Sequence, residues 1–243
     1  MTACFDSQQF WTELHARVAT FDLLAHPFYQ AWSAGQLSAE DLRHYAADYY
    51  PHVAAFPTYL SALHSRLPDG ELRRAVLRNL AEEEIEGRAH SELWLDFAEG
   101  MGADREQVRC REALNEVSGL LATFRDIASN STTPECLAAF YAYESQVPRV
   151  AEAKWQGLER HYGADARTGG YFRLHRTADI RHASVWRKLL TAALEKDSRL
   201  AAAALSAAER AAESLWKALD GIERERLTRH NVRGAVPEAA RAE

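Results

Sequence analysis

The chain has 243 residues, of which 47% are hydrophobic and 26% charged, with a formal net charge of −6. That length can bury a substantial core. An acidic balance with no basic block and no basic-aromatic interleaving argues against a nucleic-acid partner. No stretch reaches the roughly 18 apolar residues of a membrane helix, so no membrane role is expected. The start, M-T-A-C-F-D-S-Q-Q-F-W, lacks the basic residues and apolar run of a secretory signal, which leads to the expectation of a cytoplasmic protein. Cys4, Cys110 and Cys136 are widely spaced, form no C-x-x-C and suit a reducing compartment rather than a disulfide frame or a zinc site.

Helical periodicity runs almost throughout, in a chain poor in Gly (12) and Pro (7). A first helix is expected over residues 7–20 and a second from about 25 to 35. Ser38 with Asp41 then makes a capping-box start. The helix it opens should run to about Leu67, bent or split by Pro51 and Pro57. Pro68-Asp69-Gly70 is a turn, and the next helix is expected over 71–99, ended by Gly100-Met101-Gly102. Another is expected over 104–129. Thr133 can cap a helix that opens with Pro134 and reaches about Tyr162, with a kink at Pro148. Thr168-Gly169-Gly170 breaks the chain before the helix that carries His175. Asp197-Ser198 can cap a last helix to about Leu219, whose alanine-rich run suits close packing or a homodimer. Residues 234–243 read as a frayed tail. The expectation is one all-α domain over residues 1–243, a bundle of about seven or eight helices.

Chemistry concentrates in three segments. In H-R-T-A-D-I-R-H, His175, Asp179 and His182 stand at i, i+4 and i+7, so all three project from one helix face. In E-E-E-I-E-G-R-A-H, Glu83 precedes His90 by two helical turns. Glu144 sits inside the aromatic and apolar A-A-F-Y-A-Y-E-S. Taken singly, each has an ordinary explanation. Glu83, beside Glu82, Glu84 and Glu86, reads as a solvated face. His90 alone reads as a satisfied or exposed histidine, and H-x3-D-x2-H arises by chance on helix surfaces. Glu144 differs, because a buried carboxylate needs a partner. Together the six supply three imidazoles and three carboxylates, a set suited to two iron or manganese ions, on which they leave a net charge of about +1. None of the ten histidines has a glutamate three residues before it. The ferritin-like di-iron scaffold, which uses Glu-x-x-His, is therefore excluded. Tyr29, Tyr45, Tyr49, Tyr50, Tyr141 and Tyr143 lie near these segments in sequence, as core residues or as phenols close to a redox metal.

The ligand pattern, with H-P-F-Y-Q-A-W around Tyr29 and R-V-A-E-A-K-W around Lys154, resembles the CADD family of bacterial para-aminobenzoate synthases, first known from chlamydiae. The resemblance covers roughly residues 8–220. It implies a haem-oxygenase-like fold of the PqqC/TenA type that binds two metals rather than haem. It places the metal ligands at Glu83, His90, Glu144, His175, Asp179 and His182. It also implies that 4-aminobenzoate, a folate precursor, is made from the chain itself. The ring of Tyr29 would be excised, Tyr45 would be needed for activity, and Lys154 would give its nitrogen, once per molecule. Dioxygen and an external reductant would be consumed, with two irons or iron and manganese bound. Three other readings stand beside it. One is a di-metal oxygenase acting on an external small molecule. Another is a metal-free PqqC- or TenA-like enzyme, for which Cys136 is a conceivable nucleophile. The last is a non-catalytic partner of host death domains, which nothing in the sequence encodes.

Overall fold

The computed structural model describes residues 5–235, with side chains to residue 232. Helix α1 (Ser7–Ala19) is capped by Asp6, which accepts from the Gln9 amide. A 3-10 turn, Leu23–Ala25, leads into α2 (Pro27–Ser33), where Pro27 occupies the first turn and His26 Nδ1 accepts from the Phe28 amide at 3.1 Å. The expected capping box of Ser38 and Asp41 opens α3 (Ala39–Arg66). Next come α4 (Glu71–Glu84), α5 (His90–Gly100), α6 (Arg105–Arg109) and α7 (Asn115–Asn130). Helices α8 (Thr133–Glu144), α9 (Val147–His161) and α10 (Gly170–Lys196) follow, then a 3-10 turn, Ser198–Leu200, and α11 (Ala201–Ala235).

Eleven α-helices and no strand are present among the described residues, so the class is all-α as expected, with more helices than seven or eight. The excess arises because three expected helices are each divided. The span 71–99 breaks at residues 85–89, where Gly87 takes a φ of +80°. The span 104–129 breaks between α6 and α7. The span to Tyr162 breaks at Ser145–Gln146 rather than kinking at Pro148. Proline lacks the amide that would bond the Glu144 carbonyl, and its ring would collide with that carbonyl. Thr132, not Thr133, caps α8 in a capping box with Glu135.

Pro51 and Pro57 do not divide α3. Each interior proline costs about 3 kcal/mol. Against this, α3 buries Tyr45, Tyr49, Val53, Phe56, Tyr59, Leu60 and Leu63 on its inner side. At about 1.5–3 kcal/mol for each large side chain, burial exceeds the cost of both prolines.

Packing sets the site. Helix α10 lies against α9, α8, α5 and α4, while α3 lies against α4, α5 and α7. Helix α11 covers α8 and α7. Its alanine run is used internally: Ala204, Ala207, Ala208, Ala211 and Ala212 are buried, and their small side chains allow close approach. α11 runs past Leu219 to Ala235, so the expected tail begins inside a helix, and its remainder lies outside the described residues, as does Cys4. Cys110 is exposed and Cys136 buried, both as free thiols.

Candidate functional site

Six side chains from four helices converge in two buried groups. Glu83, His90 and His175 form one, and Glu144, Asp179 and His182 the other; within each, the potential ligand atoms lie within 4.8 Å of one another. The face predicted for α10 holds. His175, Asp179 and His182 are buried while Arg173, Leu174, Arg176, Thr177 and Ile180 are exposed. Glu83 and His90 do not share one helix as expected. Glu83 ends α4 and His90 begins α5, yet His90 Nδ1 lies 2.7 Å from Glu83 Oε2.

Hydrogen bonds orient the imidazoles. His175 Nδ1 donates to the Tyr171 carbonyl at 2.8 Å, which leaves Nε2 as its open nitrogen. A carbonyl only accepts, so the tautomer follows. His182 turns Nδ1 inward, 3.3 Å from Asp179 Oδ1 and 4.0 Å from Glu144 Oε1. Its Nε2 faces outward, 2.7 Å from Glu82 Oε2. Glu144 accepts from Asn79 Nδ2 at 3.1 Å and from the Trp186 indole N–H.

The electrostatics suit a cation. Burial pushes the Glu144 carboxyl up, against the attraction of His182. Burial lowers His175 toward the neutral form a ligand needs. Burial also opposes charge on His182, but hydrogen bonding to Asp179 and the charge of Glu144 outweigh it and hold this imidazole above its usual range. Asp179 Oδ2 is buried without a hydrogen-bond partner, and His90 Nδ1, though 2.7 Å from Glu83 Oε2, is not aligned with it as a hydrogen bond. Buried polar atoms are nearly always paired, and an orphan costs about 1–3 kcal/mol. A metal ion is a partner that satisfies both kinds of atom. Nitrogen and oxygen donors with no thiolate fit iron or manganese.

Beyond the cage lies a second cluster. Tyr29 of α2, Tyr45 of α3 and Lys154 of α9 are all buried. Tyr45 Oη is 2.9 Å from Tyr29 Oη and 2.5 Å from Lys154 Nζ. Lys154 Nζ lies 4.2 Å from the centre of the Tyr29 ring. Burial takes the lysine well below its usual range, toward the neutral amine, and raises both phenols, which stay protonated. A cavity of about 30 Å³ between Tyr29 and Lys154 is also lined by Tyr49, Trp94, Tyr143 and Tyr171. A smaller one of about 10 Å³ touches Glu83, His175 and Asp179, and it too is walled by Tyr143 and Tyr171. These two tyrosines thus stand between the metal-competent cage and the Tyr29–Lys154 pair, and the Tyr171 ring stacks on His175 with centroids 4.0 Å apart.

Residues 43–216 match a family described as iron-containing redox enzymes. A 4-aminobenzoate synthase of Nitrosomonas europaea is 42% identical over 210 residues, 82% of this chain and 85% of that protein. The chain belongs to the 4-aminobenzoate synthase family of iron-containing redox enzymes. Its Chlamydia pneumoniae relative, also named 4-aminobenzoate synthase, is 37% identical over 87% of this chain and 94% of its own length. A domain of unknown function from Shewanella denitrificans with a haem-oxygenase-like fold superposes with a TM-score of 0.75. At 17% identity, covering 93% of this chain and 95% of that one, it bears out the expected fold.

Sequence reasoning missed several members of this site. Asn79, Tyr171 and Trp186 each lie four residues from a named ligand, on the same helix face, and that spacing is the available signal. Glu82 has none, because nothing separates it from Glu83, Glu84 and Glu86. Tyr141 points away, with its hydroxyl 2.8 Å from His15 Nε2, and Tyr50 lines neither cavity. Cys136 is not placed as a nucleophile. Its thiol donates to the Ile127 carbonyl at 3.1 Å, and burial pushes it up to about 11.

Proposed function

We propose that this protein makes 4-aminobenzoate in an oxygen-dependent reaction at a pair of metal ions, using its own Tyr29 ring and Lys154 amino group. The family assignment supports the product. The observation that carries the self-donor reading is the placement of Lys154 Nζ 4.2 Å from the Tyr29 ring centre, beside a cavity of only about 30 Å³. A single water needs ~10–15 Å³ by the same measure, so an aromatic acid has no room there.

The product relates simply to the donor. Tyrosine carries its Cβ and phenol oxygen para to one another, and 4-aminobenzoate carries its carboxyl and amine para. Cβ would become the carboxyl carbon as its bond to Cα breaks, with dioxygen as oxidant, and the lysine nitrogen, released from Cε, would replace the phenol oxygen, which leaves as water. Burial lowers the Lys154 pKa well below its usual range, which favours the neutral amine whose lone pair is free. The Tyr45 hydroxyl contacts both the phenol and the amine, so it can hold the two groups in register and move a proton between them. Glu83, His90 and His175 would hold one ion and Glu144, Asp179 and His182 the other, as two irons or iron with manganese. Once bound, the metals would supply dioxygen activation, with electrons drawn from an external reductant. Because both donors belong to the chain, each molecule would act once.

The test is mass spectrometry of the protein after aerobic reaction with Fe(II), Mn(II) and a reductant. The expected result is product in an amount no greater than the protein, with modification confined to residues 29 and 154. Product formed while Tyr29 and Lys154 stay intact overturns the self-donor reading in favour of an external substrate.

A further inference from the structure

Glu82 belongs to none of the roles assigned so far, yet it makes the closest polar contact to His182. Its Oε2 is 2.7 Å from His182 Nε2, and the Arg181 guanidinium pairs with the same carboxylate oxygen. His182 is 5% exposed and Glu82 21% exposed, so Glu82 lies between the buried imidazole and solvent. It also lines an open cleft of about 260 Å³ between α4 and α10, together with Arg78, Asn79, Arg181, His182 and Trp186. The far side of the imidazole determines what this contact does. His182 Nδ1 faces Asp179 and Glu144, the other two members of its group. An imidazole that gives one nitrogen to a metal ion must carry its proton on the other, and a carboxylate there fixes both tautomer and ring orientation.

We propose that Glu82 is a positioning residue for the second metal subsite. It accepts a hydrogen bond from His182 Nε2–H, presents Nδ1 to the ion shared with Glu144 and Asp179, and stands between that imidazole and the open cleft. Glu82 is not itself a ligand. Its carboxylate is held outward of the imidazole by Arg181, while the adjacent Glu83 points into the other group. This inference rests on the reading of the six residues as a metal centre.

The experiment compares Glu82→Ala and Glu82→Gln with the unaltered protein, by anaerobic titration with Mn(II) and by the rate at which a chelator removes the metal. The unaltered protein is expected to take up two ions; failure to do so removes the metal-centre reading and this inference with it. Glu82→Ala should keep one ion at full affinity, bind the other about 10–100-fold more weakly and release it faster. Glu82→Gln, whose amide oxygen still accepts from Nε2–H, should keep both ions near the original affinity. Wild-type affinity and release rate in Glu82→Ala would overturn the proposal. Equal loss in both variants would also overturn it, because it would show that the charge of Glu82, not its hydrogen bond, is what the site requires. In the Zn(II)-loaded protein, 15N NMR of His182 should show a proton on Nε2 and none on Nδ1; the reverse tautomer rejects the assignment.

Discussion

Lys154 Nζ lies over the face of the Tyr29 ring, 4.2 Å from its centre, with the Tyr45 hydroxyl 2.5 Å from the same nitrogen. Six aromatic rings approach this amine, and burial among them pushes its pKa well below the usual lysine range. A lysine held this way costs the fold stability. Its pKa is lower in the folded state, so the unfolded chain binds the extra proton and stability rises with pH. The penalty is complete below the folded pKa and disappears as pH climbs to the ordinary lysine value of about 10.4. Lys154→Met should therefore abolish product yet melt higher than the parent at pH 7, by roughly 2–4 °C for each kcal/mol relieved. The difference should shrink toward pH 10. Thermal melts of both proteins across that range check it, and a gap that stays constant with pH contradicts a lysine whose pKa is lowered by burial.

Metal binding should stabilise the chain measurably, because the cage gathers three carboxylates, one of them with the unpaired oxygen Asp179 Oδ2, in a buried space. At a free ion concentration of 100 times Kd, the gain is about 2.7 kcal/mol per site. For a chain of this size that raises the melting temperature by roughly 5–10 °C. His175→Ala should reduce uptake from two ions to about one, since Glu83 and His90 alone leave a poor site. Anaerobic melts with Mn(II) and elemental analysis after desalting measure both effects.

Asp96 anchors α5, the helix that begins with His90. It is 2% exposed and accepts from Arg105 at 2.8 Å, from Arg167 at 3.1 Å and from Arg88. Burial works against its charge, but hydrogen bonds from Arg88, Arg105 and Arg167 outweigh it and hold the carboxyl at about 2. Here the folded pKa lies below the unfolded one, so the stabilisation is present above about pH 4. It is lost as pH falls through about 2. Asp96→Asn should cost about 1.5–3 kcal/mol at pH 7, toward the lower figure because the guanidiniums are partly exposed. It should also flatten the acid limb of the stability profile. Denaturant titrations between pH 7 and pH 2 give the comparison.

Helix α9 reaches α2 through Gly157. A Cβ there would stand 2.6 Å from Trp32 Cδ1, and Trp32 is fully buried with its indole N–H donating to the Lys154 carbonyl at 3.2 Å. Gly157→Ala should cost about 1–3 kcal/mol through overpacking and slow product formation by displacing Lys154 from Tyr29. Gly119, exposed in α7, is the matched control, because a Cβ added there would meet nothing within 4 Å. Gly119→Ala should gain roughly 0.5–1 kcal/mol from helix propensity and leave the yield unchanged. Melting curves and single-turnover yields separate the two.

The helical class, the capped start of α3 and the shared face of His175, Asp179 and His182 are legible in the sequence, because each depends on spacing along one continuous helix. So is the candidacy of Glu144, because a lone carboxylate in an apolar run must find a partner once buried. Breaks between helices are far less legible. The division at residues 85–89 has only Gly87 to mark it, and Pro148 ends a helix where Pro51 and Pro57 do not. The same ring chemistry operates at all three prolines, and no spacing along the chain distinguishes the one that ends a helix from the two that do not.

Sequence alone therefore determined which residue types are available and which faces of their own helices they occupy, since helical geometry is local. Tertiary packing decided what meets across helices: Glu82 against His182, Tyr143 and Tyr171 between the two cavities, and Lys154 over Tyr29. Those distances depend on how α2, α3, α4, α8, α9 and α10 pack against one another. No periodicity within a single segment encodes the orientation of its neighbours.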